Sequence, residues 1–153
     1  MKRHKALHSL SQEHHHGLML AQLIKAGSPE YKDLPKTLED KKSYTIKFFK
    51  DNLVPHFQKE EDILFPISKN KNENIDKQID ELIDQHKKIY SIIDKLEVSD
   101  SVQKDLDKLG KLLESHIRKE ERELFQMVQE ALSAADLEKL ENELGKPSDI
   151  CNI

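Results

Sequence analysis

Leucine, isoleucine and phenylalanine recur along most of this chain at steps of three and four residues, the period of a helix with one buried face. The first stripe, Leu7, Leu10, Leu18, Ala21 and Ile24, predicts a helix over about residues 9–26, with Ser9 or Ser11 as N-cap and Gly27 as its stop. A loop with two prolines follows. The second stripe runs through Leu38, Tyr44, Phe48, Phe49, Leu53, Phe57, Ile63 and Leu64 and predicts a helix over about 36–67. Pro55 lies inside it and should kink it near Asp51 or Asn52, because a proline removes one backbone hydrogen bond and crowds the preceding turn.

Ile75, Ile79, Leu82, Ile83, Ile89, Ile93 and Leu96 predict a third helix over about 75–96. Val102, Leu106, Leu109, Leu113, Ile117, Leu124 and Val128 predict a fourth over about 101–132. Ser133 then opens a capping box with Asp136, so a short fifth helix should end near Gly145, followed by a loose tail. Short links between long amphipathic helices favour antiparallel neighbours. The expected fold is therefore all-α: an up-down-up-down four-helix bundle over about 7–132, with a short C-terminal fifth helix, in one domain over 1–153.

Composition narrows the class. At 153 residues the chain can bury a core without disulfides. Its one cysteine, Cys151, reads as a reduced tail thiol and fits a reducing compartment. No apolar run has the length of a signal peptide or a membrane span, so a cytoplasmic protein with no membrane partner is expected. A net charge of −4 gives no basic face for nucleic acid. Charged residues reach 35%, but they alternate with leucine and isoleucine at helical spacing, which marks solvated outer faces rather than disorder.

The chemistry lies in an internal echo. His56 to Phe65 reads HFQKEEDILF and His116 to Phe125 reads HIRKEERELF; six of the ten positions are identical. Helices one and three echo each other more faintly through Glu13-His14 and Gln85-His86. A helix turns about 100° per residue, so His56 and Glu60, four apart, stand on one face, as do His116 and Glu120. Those faces carry the apolar stripes, and so do the faces of His14 and His86. A single histidine on an apolar stripe is ordinarily a hydrogen-bonded core residue. Here the feature repeats on four helices.

Burying carboxylates and imidazoles together is costly unless something compensates. A metal ion does, and a nitrogen and oxygen donor set suits iron, manganese, zinc or copper. Two carboxylates could also bridge two ions. The candidate ligands are His14, His56, Glu60, His86, His116 and Glu120, with His15 as the alternative on helix one. Glu61 and Glu121 face outward or orient the ligand histidines. His4, His8 and His16 read as surface residues.

LSQEHHHGL, HFQKEEDILFP and HIRKEERELF together resemble the hemerythrin-like family, the HHE cation-binding domain, over about residues 7–130. The resemblance implies a four-helix bundle holding a non-haem di-iron centre, with contacts from the six residues above. The oxygen-carrying hemerythrins have a second histidine four residues along helix three and an aspartate as last carboxylate. This chain has Tyr90 and Glu120 there. One iron would then have fewer protein ligands, and the Tyr90 hydroxyl could hydrogen-bond to a bound ligand. The leading expectation is a binding protein rather than an enzyme, taking O2, NO or peroxide at an iron site, with zinc or manganese as other possible occupants. A di-iron oxidoreductase acting on peroxide or nitric oxide, an iron sensor or store, and a plain helical interaction module are the alternatives. Ferritin-like bundles use Glu-x-x-His with further glutamates, which this chain does not match.

Overall fold

The computed structural model describes residues 2–145. Cys151 and the tail expected to be loose lie outside them. All regular structure among the described residues is helical. A 3-10 turn, Lys5–Leu7, leads into helix α1, His8–Ile24. Helix α2 spans 38–68, α3 spans Glu73–Leu96, α4 spans 102–131, and α5 spans Ala134–Leu144. None of these helices is long and apolar enough to cross a membrane.

The helix ends follow the local chemistry, with one correction. Thr37, Asn72 and Ser133 accept backbone N–H groups at the starts of α2, α3 and α5. Gly27 and Gly145 adopt positive φ just past α1 and α5. The expected serine caps of α1 are not used: both serines lie inside the helix. His4 caps the preceding turn instead, its Nδ1 accepting from Ala6 N at 3.0 Å, and that turn runs straight on into α1. Ser9 is buried and Ser11 donates to Glu121.

Two of the helices change pitch on the way. Phe49–Leu53, Glu60–Leu64 and Glu120–Leu124 are π-helical, each closed by an i to i+5 bond: Val54 N to Phe49 O, Phe65 N to Glu60 O and Phe125 N to Glu120 O. The first lies just before Pro55 and absorbs the distortion expected at Asp51 and Asn52. The other two begin on the paired glutamates, and no expectation covered them.

The core divides into two apolar clusters. One gathers Leu20, Ile24, Phe48, Phe57, Ile89, Leu96, Leu109 and Ile117; the other gathers Leu7, Leu10, Leu64, Phe65, Ile79, Leu82, Leu124, Phe125 and Leu140. On each long helix, the change from one cluster to the other falls at the candidate histidines and glutamates. Those residues form a polar layer between two dry ones.

Helix α4 runs opposite to both α1 and α3. From α1 to α4, Ser11 meets Glu121 and Lys25 meets Glu114; from α3 to α4, Gln78 meets Glu123 and Gln85 meets His116. Helices α1 and α4 come close at two glycines. A Cβ on Gly17 would stand 2.8 Å from Ile117 Cδ1, and one on Gly110 would stand 2.9 Å from the Ala21 carbonyl oxygen. This close approach brings the His14 face onto the Glu120 face.

Candidate metal centre

His14, His56, Glu60, His86, His116 and Glu120 converge in the polar layer, and all six are buried. The His-x-x-x-Glu spacing stacks His56 over Glu60 and His116 over Glu120. Just after the glutamates, Leu64 with Phe65 and Leu124 with Phe125 are all buried in the core.

Glu60 lies at the centre. Its Oε2 is 3.3 Å from His56 Nε2 and 3.6 Å from His14 Nε2, while its Oε1 is 3.1 Å from His86 Nε2. Glu120 has its Oε1 2.6 Å from His116 Nε2 and its Oε2 3.8 Å from His14 Nε2. The donors fall into two overlapping groups: Glu60, His86, His116 and Glu120, and His14, His56 and Glu60. Phe57 stacks on His86 at 4.0 Å between centroids, and Phe125 on His14 at 5.4 Å. These rings hold the imidazole planes.

Each histidine is oriented from behind by a neighbouring helix. His14 Nδ1 donates to Glu121 Oε2 at 2.6 Å, His56 Nδ1 to Glu13 Oε1 at 2.8 Å, His86 Nδ1 to Glu61 Oε2 at 2.7 Å, and His116 Nδ1 to Gln85 Oε1 at 2.7 Å. The partner always comes from the helix before, with α4 serving α1, so the four bonds close a ring. A proton fixed on Nδ1 leaves Nε2 as the nitrogen aimed inward. Arg3 completes the α4 corner: its guanidinium bonds to the Glu121 carbonyl at 2.6 Å and lies 5.0 Å over the Phe125 ring.

The inward atoms are poorly satisfied by one another. His14 Nε2, His56 Nε2, His116 Nε2, Glu60 Oε2 and both Glu120 oxygens are buried without a hydrogen-bond partner. The 2.6 Å His116–Glu120 approach is an ion-pair distance without hydrogen-bond alignment. Orphaned polar atoms converging from five side chains are costly, and they fit a cation.

The protein's own charges settle unevenly. Burial opposes charge on His56, but the Glu60 carboxylate and then Glu13 outweigh it and raise His56 to about 9. Burial likewise works against Glu60, and the His56 charge overrides it, holding Glu60 well below the usual carboxylate range. Glu120 is pushed well above that range by burial and by the negative Glu60 beside it. Burial drives His116 well below the ordinary histidine value. Glu13, despite burial, is held at about 2 by His56 and Lys59.

The remaining candidates sit elsewhere. His15 is exposed, one residue and about 100° round the helix from His14, and stands outside the cluster. Tyr90 is half-buried, packed edge-on against Phe49 at 5.1 Å and Phe57 at 6.0 Å. His4 is tied up in its cap, His8 is exposed, and His16 lines a cleft of about 90 Å³ beside Glu13, Asn52, Pro55, His56 and Lys59. Glu61 and Glu121 orient His86 and His14. Glu13 and Gln85, which do the same for His56 and His116, were not foreseen. Their signal was the echo itself: each is the residue before a candidate histidine.

The family model for the hemerythrin HHE cation binding domain matches residues 5–128. No curated protein and no solved structure matches the chain.

Proposed function

The chain belongs to the hemerythrin HHE cation-binding family, and from that premise we propose that its buried cluster is a non-haem di-iron centre that binds O2 or a related small ligand. The fold reading is one domain built as an up-down-up-down four-helix bundle, with α5 packed at the end where the chain begins. The observation that carries the proposal is the set of orphaned inward atoms on His14, His56, His116, Glu60 and Glu120. Glu60 presents one oxygen to His14 and His56 and the other to His86, the arrangement of a carboxylate that bridges two ions. Glu120 would be the second carboxylate. When bound, iron would supply a redox-active centre with affinity for oxygen and nitrogen monoxide.

The chain's own residues would do the rest. Histidines fixed through Nδ1 present Nε2 without reorganising, and Phe57, Phe65 and Phe125 keep bulk water off the inner faces. The His14, His56 and Glu60 group offers fewer protein donors than the other group. It also lies nearest the cleft beside His56. We therefore assign the exchangeable coordination position, and the entry of the small ligand, to that side. Cytoplasmic location and binding without turnover complete the reading.

Metal analysis of protein purified without air, followed by its optical spectrum on exposure to air, tests this. About two irons per chain and a new visible or near-ultraviolet band on oxygenation are expected. Protein that carries no metal and takes up none from added Fe(II) would overturn it.

A further inference from the structure

The ring of four hydrogen bonds behind the histidines breaks its own symmetry at one residue. His14 and His56 are each backed by a carboxylate, Glu121 and Glu13. His86 is backed by the Glu61 carboxylate, but His116 is backed by the neutral amide of Gln85. Gln85 is the counterpart of Glu13 in the helix-one and helix-three echo, so the substitution sits where the repeat would place an acid.

A second observation shows where the acid has gone. In the first half of the molecule Glu13 serves both the histidine and the lysine: it accepts from His56 Nδ1 and, at 2.6 Å, from Lys59 Nζ. Lys119 is the echo of Lys59. It bonds to Glu81, one turn before Gln85 on α3. The lysine's partner and the histidine's partner, one residue in the first half, are two residues in the second. The negative charge is thereby drawn off the imidazole and onto the surface lysine.

The acceptor behind an imidazole sets how strongly its other nitrogen donates. A carboxylate on Nδ1–H gives the ring imidazolate character and raises its basicity; an amide carbonyl does so less. We propose that Gln85 makes the two metal positions unequal, leaving the His86 and His116 pair a weaker electron donor than the His14 and His56 pair. Gln85 acts as a positioning residue here: it fixes the His116 ring while withholding charge from it. The inference rests on the ligand assignment made above.

The test uses the full chain and Fe(II) under anaerobic conditions, titrated against a competing chelator, with the reduction potential of the loaded protein as second readout. Gln85→Glu restores the acid, and Glu13→Gln is its mirror; both are near-isosteric, and circular dichroism checks their folding. Gln85→Glu should tighten metal binding by about 10–100-fold and lower the potential. Glu13→Gln should weaken binding by a similar factor and raise the potential. A merely structural role would weaken binding in both variants and could not give opposite signs. Two ions bound by Gln85→Glu at unchanged or lower affinity, with an unchanged potential, would overturn the inference and leave the ligand assignment intact. Failure of the unaltered protein to bind Fe(II) would overturn the ligand assignment, and the inference with it.

Discussion

The His56–Glu60 block and the His116–Glu120 block are near copies, yet their charges settle in opposite ways. In the first, the histidine is held protonated, at about 9, and the glutamate ionised. In the second, the histidine is driven neutral and the glutamate is driven toward its protonated form. The blocks cannot explain this, because their histidine, lysine, two glutamates, leucine and phenylalanine are identical. The neighbours can. Burial presses every one of these groups toward neutrality: Glu60 and Glu13 overcome it at His56, it prevails at His116, and at Glu120 it is joined by the already negative Glu60. A motif supplies the groups; the helix beside it decides their charge.

Metal-free protein offers the sharpest way to break that comparison. Glu60→Gln removes the inner of the two carboxylates that hold buried His56 cationic and should cost about 3 kcal/mol. Glu120→Gln replaces a group that burial and Glu60 push toward its neutral form and should cost less, about 1 kcal/mol. Denaturant unfolding of the two variants measures both. Equal losses would show that the two blocks are not electrostatically distinct.

Metal uptake should report the same asymmetry as protons. Filling the centre displaces the proton held on His56, so at least about one proton should appear per chain at neutral pH. Calorimetry in buffers of different ionisation enthalpy counts them. The sign for stability follows from His56. Its value is about 9 folded against 6.5 unfolded, so the stability it lends metal-free protein is full below about 6.5 and lost as the pH rises through 9. Metal affinity rises over the same interval. The drop in melting temperature caused by a chelator should therefore grow from pH 6.5 to 9, and a drop independent of pH would remove His56 from the account.

The smallest expected effect concerns the backbone. The π turn at Glu60 is followed by Pro66, but the one at Glu120 is followed by Gln126 and keeps the same geometry. Proline is thus not what makes the turn. Pro66→Ala, at an exposed position, should change stability by only about 0.5 kcal/mol and leave metal content unaltered. A large loss in thermal unfolding would show that the first block leans on its proline.

The helices were legible because each one must bury an apolar stripe, and a stripe at steps of three and four has one reading. The six inward donors were legible for a related reason: polar groups on those stripes, repeated at fixed spacing, need a common purpose. What lay across the helix gaps was not legible. Glu13 orients a histidine 43 positions away; its place before His14 marks it, but not which histidine it serves. The π turns carry no residue type of their own, and the cap at His4 depended on a 3-10 turn that a periodicity cannot register. Charge states were out of reach, since they arise from groups that meet only after folding.

The ring closes late in the life of the chain. Glu13 and His56 are both made within the first 56 residues, and His86 meets Glu61 soon after. His14, however, waits for Glu121, 107 positions downstream, and Arg3 waits for the same residue. A ribosome that has made α1, α2 and α3 has exposed three of the histidines but neither His116 nor Glu120. Such a nascent chain holds four of the six donors, His14, His56, Glu60 and His86, and lacks the carboxylate that orients His14. The full set of six donors therefore exists only once translation has passed α4.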